Sequence, residues 1–283
     1  MKAQIQHDAL PTLFVPHGAP TFALQPGEAG KSMAGLAQRI GKPHAVLIVS
    51  AHWDTAVPTL GVVPRPETLH DFYGFPKPLY DIRYPAPGAV SLAMEARMLL
   101  EESGFEVALD PRRGLDHGAW IPLRMMFPDA TVPVLTLSVQ SHLGPTHHYR
   151  LGQALAPLRD AGVLVIGSGN LTHNLQHFQQ WRSASAAPDY VPAFQGWVRE
   201  QLQQSDIQSL LAYRHLAPGA LQAHPTDEHW LPFYVALGAA GRTFETEAVY
   251  SGIEFNMLAM DTYAFWPDPK APKINTIQSG VTS

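Results

Sequence analysis

Four short runs rich in Val, Ile and Leu constrain the fold of this chain more than any other feature: Leu13 to Val15, Ala45 to Val49, Val132 to Val139 and Val163 to Ile166. Apolar stretches of this length suit strands covered by helices on both faces. Helical stretches lie between them. In Ser91 to Ser103, Leu92, Met94, Ala96, Met98, Leu99 and Leu100 supply apolar faces while Glu95, Arg97 and Glu101 supply polar ones, and Gly104 follows as a stop. Strands and helices alternating in this way predict an α/β fold with a central, largely parallel mixed sheet flanked by helices.

Two stretches break the pattern. Residues 57 to 88 interleave seven prolines with Phe72, Tyr73, Phe75, Tyr80 and Tyr84, which reads as an irregular packed excursion. It serves either as a lid over core surface or as an aromatic wall for a flat ligand. Pro267 to Ser283 is polar and aperiodic, a C-terminal arm or tail.

Composition removes whole classes of function. The chain has no cysteine, so disulfide frameworks, iron–sulfur clusters and thiolate zinc sites are excluded together. With 19 basic and 24 acidic side chains and no Lys/Arg run, it lacks the stripe that tracks phosphates, so nucleic acid is not an expected partner. No run of about 18 apolar residues crosses a membrane, and the N-terminus MKAQIQHDALPTLF has no secretory apolar core. A soluble, cytoplasmic protein is the expectation. Any metal must be held by His, Asp or Glu, and 14 histidines are present.

Several of those histidines share one placement. His17 follows Leu13-Phe14-Val15-Pro16, His52 follows the run ending at Val49, His173 comes seven residues after Ile166, and His142 follows the run ending at Val139. The carboxyl ends of parallel strands line one edge of a sheet, and ligands bind in the crevice outside it. One site gathering His17, His52 and His173 is therefore predicted. His142, His147 and His148 of SHLGPTHH are either its neighbours or surface residues. His117, in Gly114-Leu115-Asp116-His117-Gly118, precedes the apolar segment Ala119 to Phe127, which reads as a helix. It is either a substrate-contacting neutral imidazole at a helix N-terminus or a capping residue oriented by Asp116.

The segment His224-Pro225-Thr226-Asp227-Glu228-His229 is dense in ligands for a first-row divalent metal. It matches neither HExxH nor HxxEH. If helical, it puts Glu228 and His229 on adjacent faces, so one of them ligates and the other supports. Gly167-Ser168-Gly169 is neither a nucleophile elbow nor a dinucleotide fingerprint, and no phosphate-binding GxxxxGK[ST] loop exists.

Five pieces, PTLFVPHGAPTF, LIVSAHWDT, GLDHGAWIPL, GSGNLTHNL and HPTDEHWLPFYVALGAA, together resemble the class III extradiol ring-cleavage dioxygenases, in particular the 4,5-DOPA extradiol dioxygenases. They run in the family's order from residue 11 to about 240. The resemblance implies a single catalytic domain over residues 1–266, followed by the arm 267–283. It implies a non-haem metal centre, with Fe(II) expected for activity and Zn(II) able to occupy the site. It also implies the residue roles: His17, His52 and His229 as metal ligands, with Glu228 the alternative third ligand, His173 as catalytic base and as a fourth ligand without substrate, and His117 contacting substrate or oxygen. The partners implied are a catechol, DOPA-like or otherwise substituted, and O2; the product is a semialdehyde acid. A base of this kind is expected to be a histidine near its ordinary pKa. Two other classes compete: a zinc hydrolase on His17, His52 and His229 with Glu228 or Asp54 as base, and a non-catalytic binding module on the same scaffold.

Overall fold

The computed structural model describes residues 9–181 and 184–268. Ten strands occur among them in chain order: β1 (Thr12–Pro16), β2 (Ala45–Asp54), β3 (Thr59–Gly61), β4 (Ala108–Asp110), β5 (Val134–Val139), β6 (Val163–Gly169), β7 (Phe244–Tyr250), β8 (Ile253–Glu254), β9 (Leu258–Ala259) and β10 (Thr262–Pro267). Eight of them build one sheet in the order β4-β3-β5-β2-β6-β1-β10-β7, and β8 with β9 forms a separate ribbon. The centre, β5-β2-β6-β1, is parallel throughout. Antiparallel pairings, β3 on β5 and β10 on β1 and β7, flank it. This is the mixed, mostly parallel sheet that the apolar runs predict.

Side-chain alternation along these strands divides the core in two. Leu13, Val15, Val46, Ile48, Leu164 and Ile166 pack into one cluster with the helices Gly27–Ile40 and His117–Met126. Phe14, Leu47, Val49, Val163 and Val165 join the other, with the helices Val90–Glu102, Gly144–Leu155, Tyr190–Gln204 and Leu231–Ala239. A strand apolar on both sides needs cover on both sides, and the helices supply it. None of the described helices is long and apolar enough to cross a membrane.

The 57–88 excursion is cover as well. Phe72, Leu79 and Tyr84 are buried in the cluster around the 117–126 helix, Trp120 Nε1 donates to Leu69 O at 2.9 Å, and Tyr84 Oη donates to Phe127 O at 2.9 Å. That helix, covered on its outer side too, is apolar nearly all round for this reason. Despite its prolines the excursion holds β3 and a short helix, Lys77–Asp81, whose Pro78 sits in the first turn where no N–H is needed.

Two boundaries differ from the expectation. The helix expected from Ala119 begins at His117, because Asp116 is the cap: its carboxylate accepts the Ala119 N–H at 3.0 Å. Residues 225–230 are turns, and the next helix opens only at Leu231, with Pro232 in its first turn. Glu228 and His229 are therefore not on helix faces. At the C-terminal end β10 runs through Pro267, one residue past the predicted arm boundary, and the rest of the arm from residue 269 lies outside the described residues.

Candidate active site

Pairing registers bring Pro16 of β1 level with Gly169 of β6, and Ser50 of β2 level with Ser168. The chain beyond each of these points emerges at one sheet edge. His17 follows β1 directly, its N–H on Gly169 O at 3.1 Å, and His52 sits on the stretch of β2 that outruns its pairing with β6. His229 arrives from the turn before the 231–239 helix, its carbonyl accepting the Asn170 N–H at 3.1 Å. Gly167-Ser168-Gly169 permits that approach. A Cβ on Gly169 would stand 2.1 Å from His229 O, and one on Gly167 would stand 2.0 Å from Pro232 O. The two glycines are packing contacts, which accounts for their failure to fit any nucleotide or nucleophile motif.

Donor atoms of His17, His52 and His229 all lie within 4.8 Å of one another, and Nε2 of His17 is 3.0 Å from Nε2 of His52. The proton on His17 can be placed. Ser168 Oγ donates its single hydrogen to Gly118 O at 2.5 Å, so toward His17 Nδ1, 3.1 Å away, it can only accept. His17 therefore carries its hydrogen on Nδ1 and presents a bare Nε2. Gly118 O is free to accept because residue 122, four positions on, is a proline without an N–H. Across the cluster, His229 Nδ1 lies 3.3 Å from Glu228 Oε1, and its Nε2 is buried without a hydrogen-bond partner.

Two more histidines complete the group. The His173 ring stacks on His229 with centroids 3.5 Å apart and planes 5° from parallel. The His117 ring lies 3.9 Å from His52 and 5.3 Å from His17. All five histidines singled out by the motifs thus meet at one place. His142, His147 and His148 do not join them: His147 and His148 pack around Gln140, and the His147 ring stands edge-on to Phe105. His224 is turned away, its Nε2 on Leu171 O at 2.8 Å, and Asp227 is taken by Tyr213 and Arg214. The dense 224–229 segment thus sends only Glu228 and His229 to the site. Glu228 is grouped with His173 and His229, not with His17 and His52. Asp54 is engaged by the Ser141 N–H at 3.0 Å and stands outside these groups.

Burial, reinforced by neighbouring imidazoles, holds His17 and His229 well below the ordinary histidine pKa. Burial and the closeness of His117 push His52 down to about 3. His173 is likewise lowered to about 3, by burial and then by His224, His52 and His117. Crowding several imidazoles in a dry site makes each proton costly. At neutral pH all four rings are neutral and offer lone pairs. Asp71, which no motif singled out, stays ionised: burial opposes its charge, but contacts with His117 outweigh burial and hold it at about 2.

A divalent metal fits this donor set. The buried, partnerless Nε2 of His229 lies in a group with His17 and His52, whose Nε2 atoms face each other at 3.0 Å. Two such nitrogens are satisfied by one shared proton or one shared cation. Imidazoles bound about 2.1 Å from a first-row ion, at roughly right angles, stand about 3 Å apart.

Residues 11–265 match the family model described as the catalytic LigB subunit of aromatic ring-opening dioxygenase. The chain belongs to the LigB family. It is 43% identical to the 4,5-DOPA dioxygenase extradiol of Beta vulgaris over 90% of this chain and 96% of that one. Against the protein of the same name from Escherichia coli (strain K12) the identity is 36%, over 89% and 93%. Among solved structures, the crystal structure of uncharacterized protein JW3007 from Escherichia coli K12 superposes with a TM-score of 0.75 at 30% identity, covering 90% of this chain and 99% of that one.

As a LigB-family dioxygenase the chain is a ring-cleaving enzyme that incorporates O2, and the family implies a catalytic metal. The hydrolase and binding-module readings fall with that assignment. Sequence reasoning missed three contributors to this site: Asp71, Ser168 as acceptor for His17, and Pro122, which frees the carbonyl that Ser168 needs. A signal existed for the last, since a proline inside an apolar helical run always leaves a carbonyl without its N–H.

Proposed function

We propose that this LigB-family enzyme cleaves a catechol on the extradiol side with O2 to a semialdehyde acid, with DOPA or a related substituted catechol as substrate. His17, His52 and His229 hold the metal through Nε2, Fe(II) being the ion that supports turnover and Zn(II) an occupant of the same nitrogens. The observation that carries this assignment is the convergence of three neutral imidazoles, two with their remote nitrogens beside Ser168 and Glu228. Glu228 orients His229 and is not itself the third ligand. The DOPA-like substrate is supported by relatives of that name matched over most of the chain.

When bound, the metal supplies adjacent open positions for a catecholate and O2. The protein does the rest. His173 is neutral and takes a hydroxyl proton from the catechol at a ring nitrogen, and its stacking on His229 holds that nitrogen beside the ligand set. His117, packed against His52 on the other side, contacts the substrate, and His173 gives the proton it took back to the opening product.

Adding a panel of catechols, DOPA included, to Fe(II)-loaded protein without oxygen and then admitting air tests this. A yellow semialdehyde or betalamic-acid-like product, formed with uptake of one O2 per catechol, is expected; colourless mixtures across the panel would overturn it. In the same assay His17→Ala loses the metal, whereas His173→Ala keeps the metal and loses turnover.

A further inference from the structure

The proline-rich excursion delivers one acidic side chain to the histidine cluster. Asp71 Oδ1 accepts the backbone N–H of His117 at 2.9 Å, while its Oδ2 lies 3.0 Å from Nδ1 of the same residue and 3.8 Å from Nδ1 of His52. The hydrogen bond to the main chain fixes the place of His117 in the helix, and the second carboxylate oxygen stands beside its buried Nδ1, which makes no regular hydrogen bond to any other group and so has this carboxylate as its one polar neighbour at that distance. Phe72, the next residue, is buried with its ring edge-on to His117 at 5.7 Å, which leaves the imidazole little room to turn.

We infer that Asp71 is a positioning residue for His117, whose Nδ1–H tautomer it enforces. An ionised carboxylate only accepts, so the ring nitrogen facing it must carry hydrogen. Nε2 is then the reactive nitrogen of His117. The longer approach to His52 Nδ1 biases that ring the same way and leaves its Nε2 bare toward Nε2 of His17, 3.0 Å away. What His117 does in the reaction rests on the ring-opening proposal; how Asp71 holds it does not.

Asp71→Asn separates the two. The amide keeps one acceptor for the His117 N–H but turns a donor toward Nδ1, which favours the opposite tautomer. Long-range proton–nitrogen-15 spectra of the histidine rings, recorded on the protein as purified and after Zn(II) loading, read this directly. His117 should show the Nδ1–H pattern in the wild type, lose it in Asp71→Asn and regain it in Asp71→Glu. On the Fe(II)-loaded enzyme, Asp71→Asn should lower kcat about 10- to 100-fold, the usual cost of losing an orienting partner. KM should change less than about threefold, because a group that only orients His117 acts through the transition state and adds nothing to ground-state binding. An unchanged His117 pattern in the Asn variant would overturn the inference, and so would a loss confined to KM, which would make Asp71 a substrate-binding carboxylate. If Asp71→Asn fails to fold by near-ultraviolet circular dichroism, Asp71→Glu carries the test, and loss of the Nδ1–H pattern there overturns it. A wild type without turnover refutes the ring-opening proposal alone, since the spectra still decide the role of Asp71.

Discussion

A neutral histidine offers one nitrogen to a metal when the other keeps the proton, and at His17, a proposed ligand, that instruction comes from a serine. Ser168 spends its hydrogen on Gly118 O and so can only accept from His17 Nδ1. Ser168→Ala removes both contacts at once and leaves two buried groups without partners. Metal affinity should fall by about 10- to 100-fold, measured by competition with a chromophoric chelator, while circular dichroism stays native. Unchanged affinity would show that packing alone orients the ring. The lowered pKa values of His17, His52 and His229 work in the same direction, since a ring that resists protonation keeps its lone pair available.

At the scale of elements, the site depends on how closely β6 and the turn before the 231–239 helix approach. Gly169→Ala would press a methyl group into His229 O, so we expect a loss of about 1–3 kcal/mol in stability, seen as a lower denaturation midpoint, together with weaker metal binding. Gly35, inside the 27–40 helix with nothing within 4 Å of an added Cβ, is the control: Gly35→Ala should leave metal binding unchanged and raise stability by about 0.5–1 kcal/mol. The same elements show what was legible in the sequence. The strand runs and the histidines after them could be read because both follow from local chain chemistry and from the rule that parallel strands share an edge. Whether Glu228 and His229 stand on helix faces could not be read, since the turn there combines local bonds, Asp227 O accepting the N–H groups of Trp230 and Leu231, with a tertiary one, the Asn170 N–H on His229 O. Asp71 was invisible because its partner is 46 residues away, on an element that only the fold places beside it.

Across the whole molecule, one buried carboxyl away from the active site makes stability depend on pH. Asp261 joins the C-terminal side of the sheet to the 190–204 helix through Gln195 Nε2 at 2.6 Å, with Arg199 3.9 Å away. Burial outweighs those partners and raises its pKa to about 6. A raised carboxyl pKa means the folded state favours the protonated form. The stability it contributes is complete below about pH 4 and is lost as pH rises through 6. Asp261→Asn should be more stable than the wild type at pH 8 by about 2–3 kcal/mol, with the gap closing below pH 4. Denaturant melts at the two pH values check this; equal midpoints at pH 8 would contradict it.

The sheet order also dictates when the enzyme can be completed. β1, the first strand made, sits between β6 and β10, so its two edges stay unpaired until about 150 and then about 250 further residues have been synthesised. The first metal-ligand candidate hangs from that strand and the third lies past residue 228, with β10 later still. Such long-range pairing pays its loop-closure entropy before any contact returns it, and the chain therefore gathers slowly. A ribosome-bound fragment ending before β7 holds all of β6 and both early histidines yet lacks one of the two partners of β1. The three metal-ligand candidates therefore cannot meet until synthesis has passed residue 229, and the strand that carries the first of them gains its last partner later still.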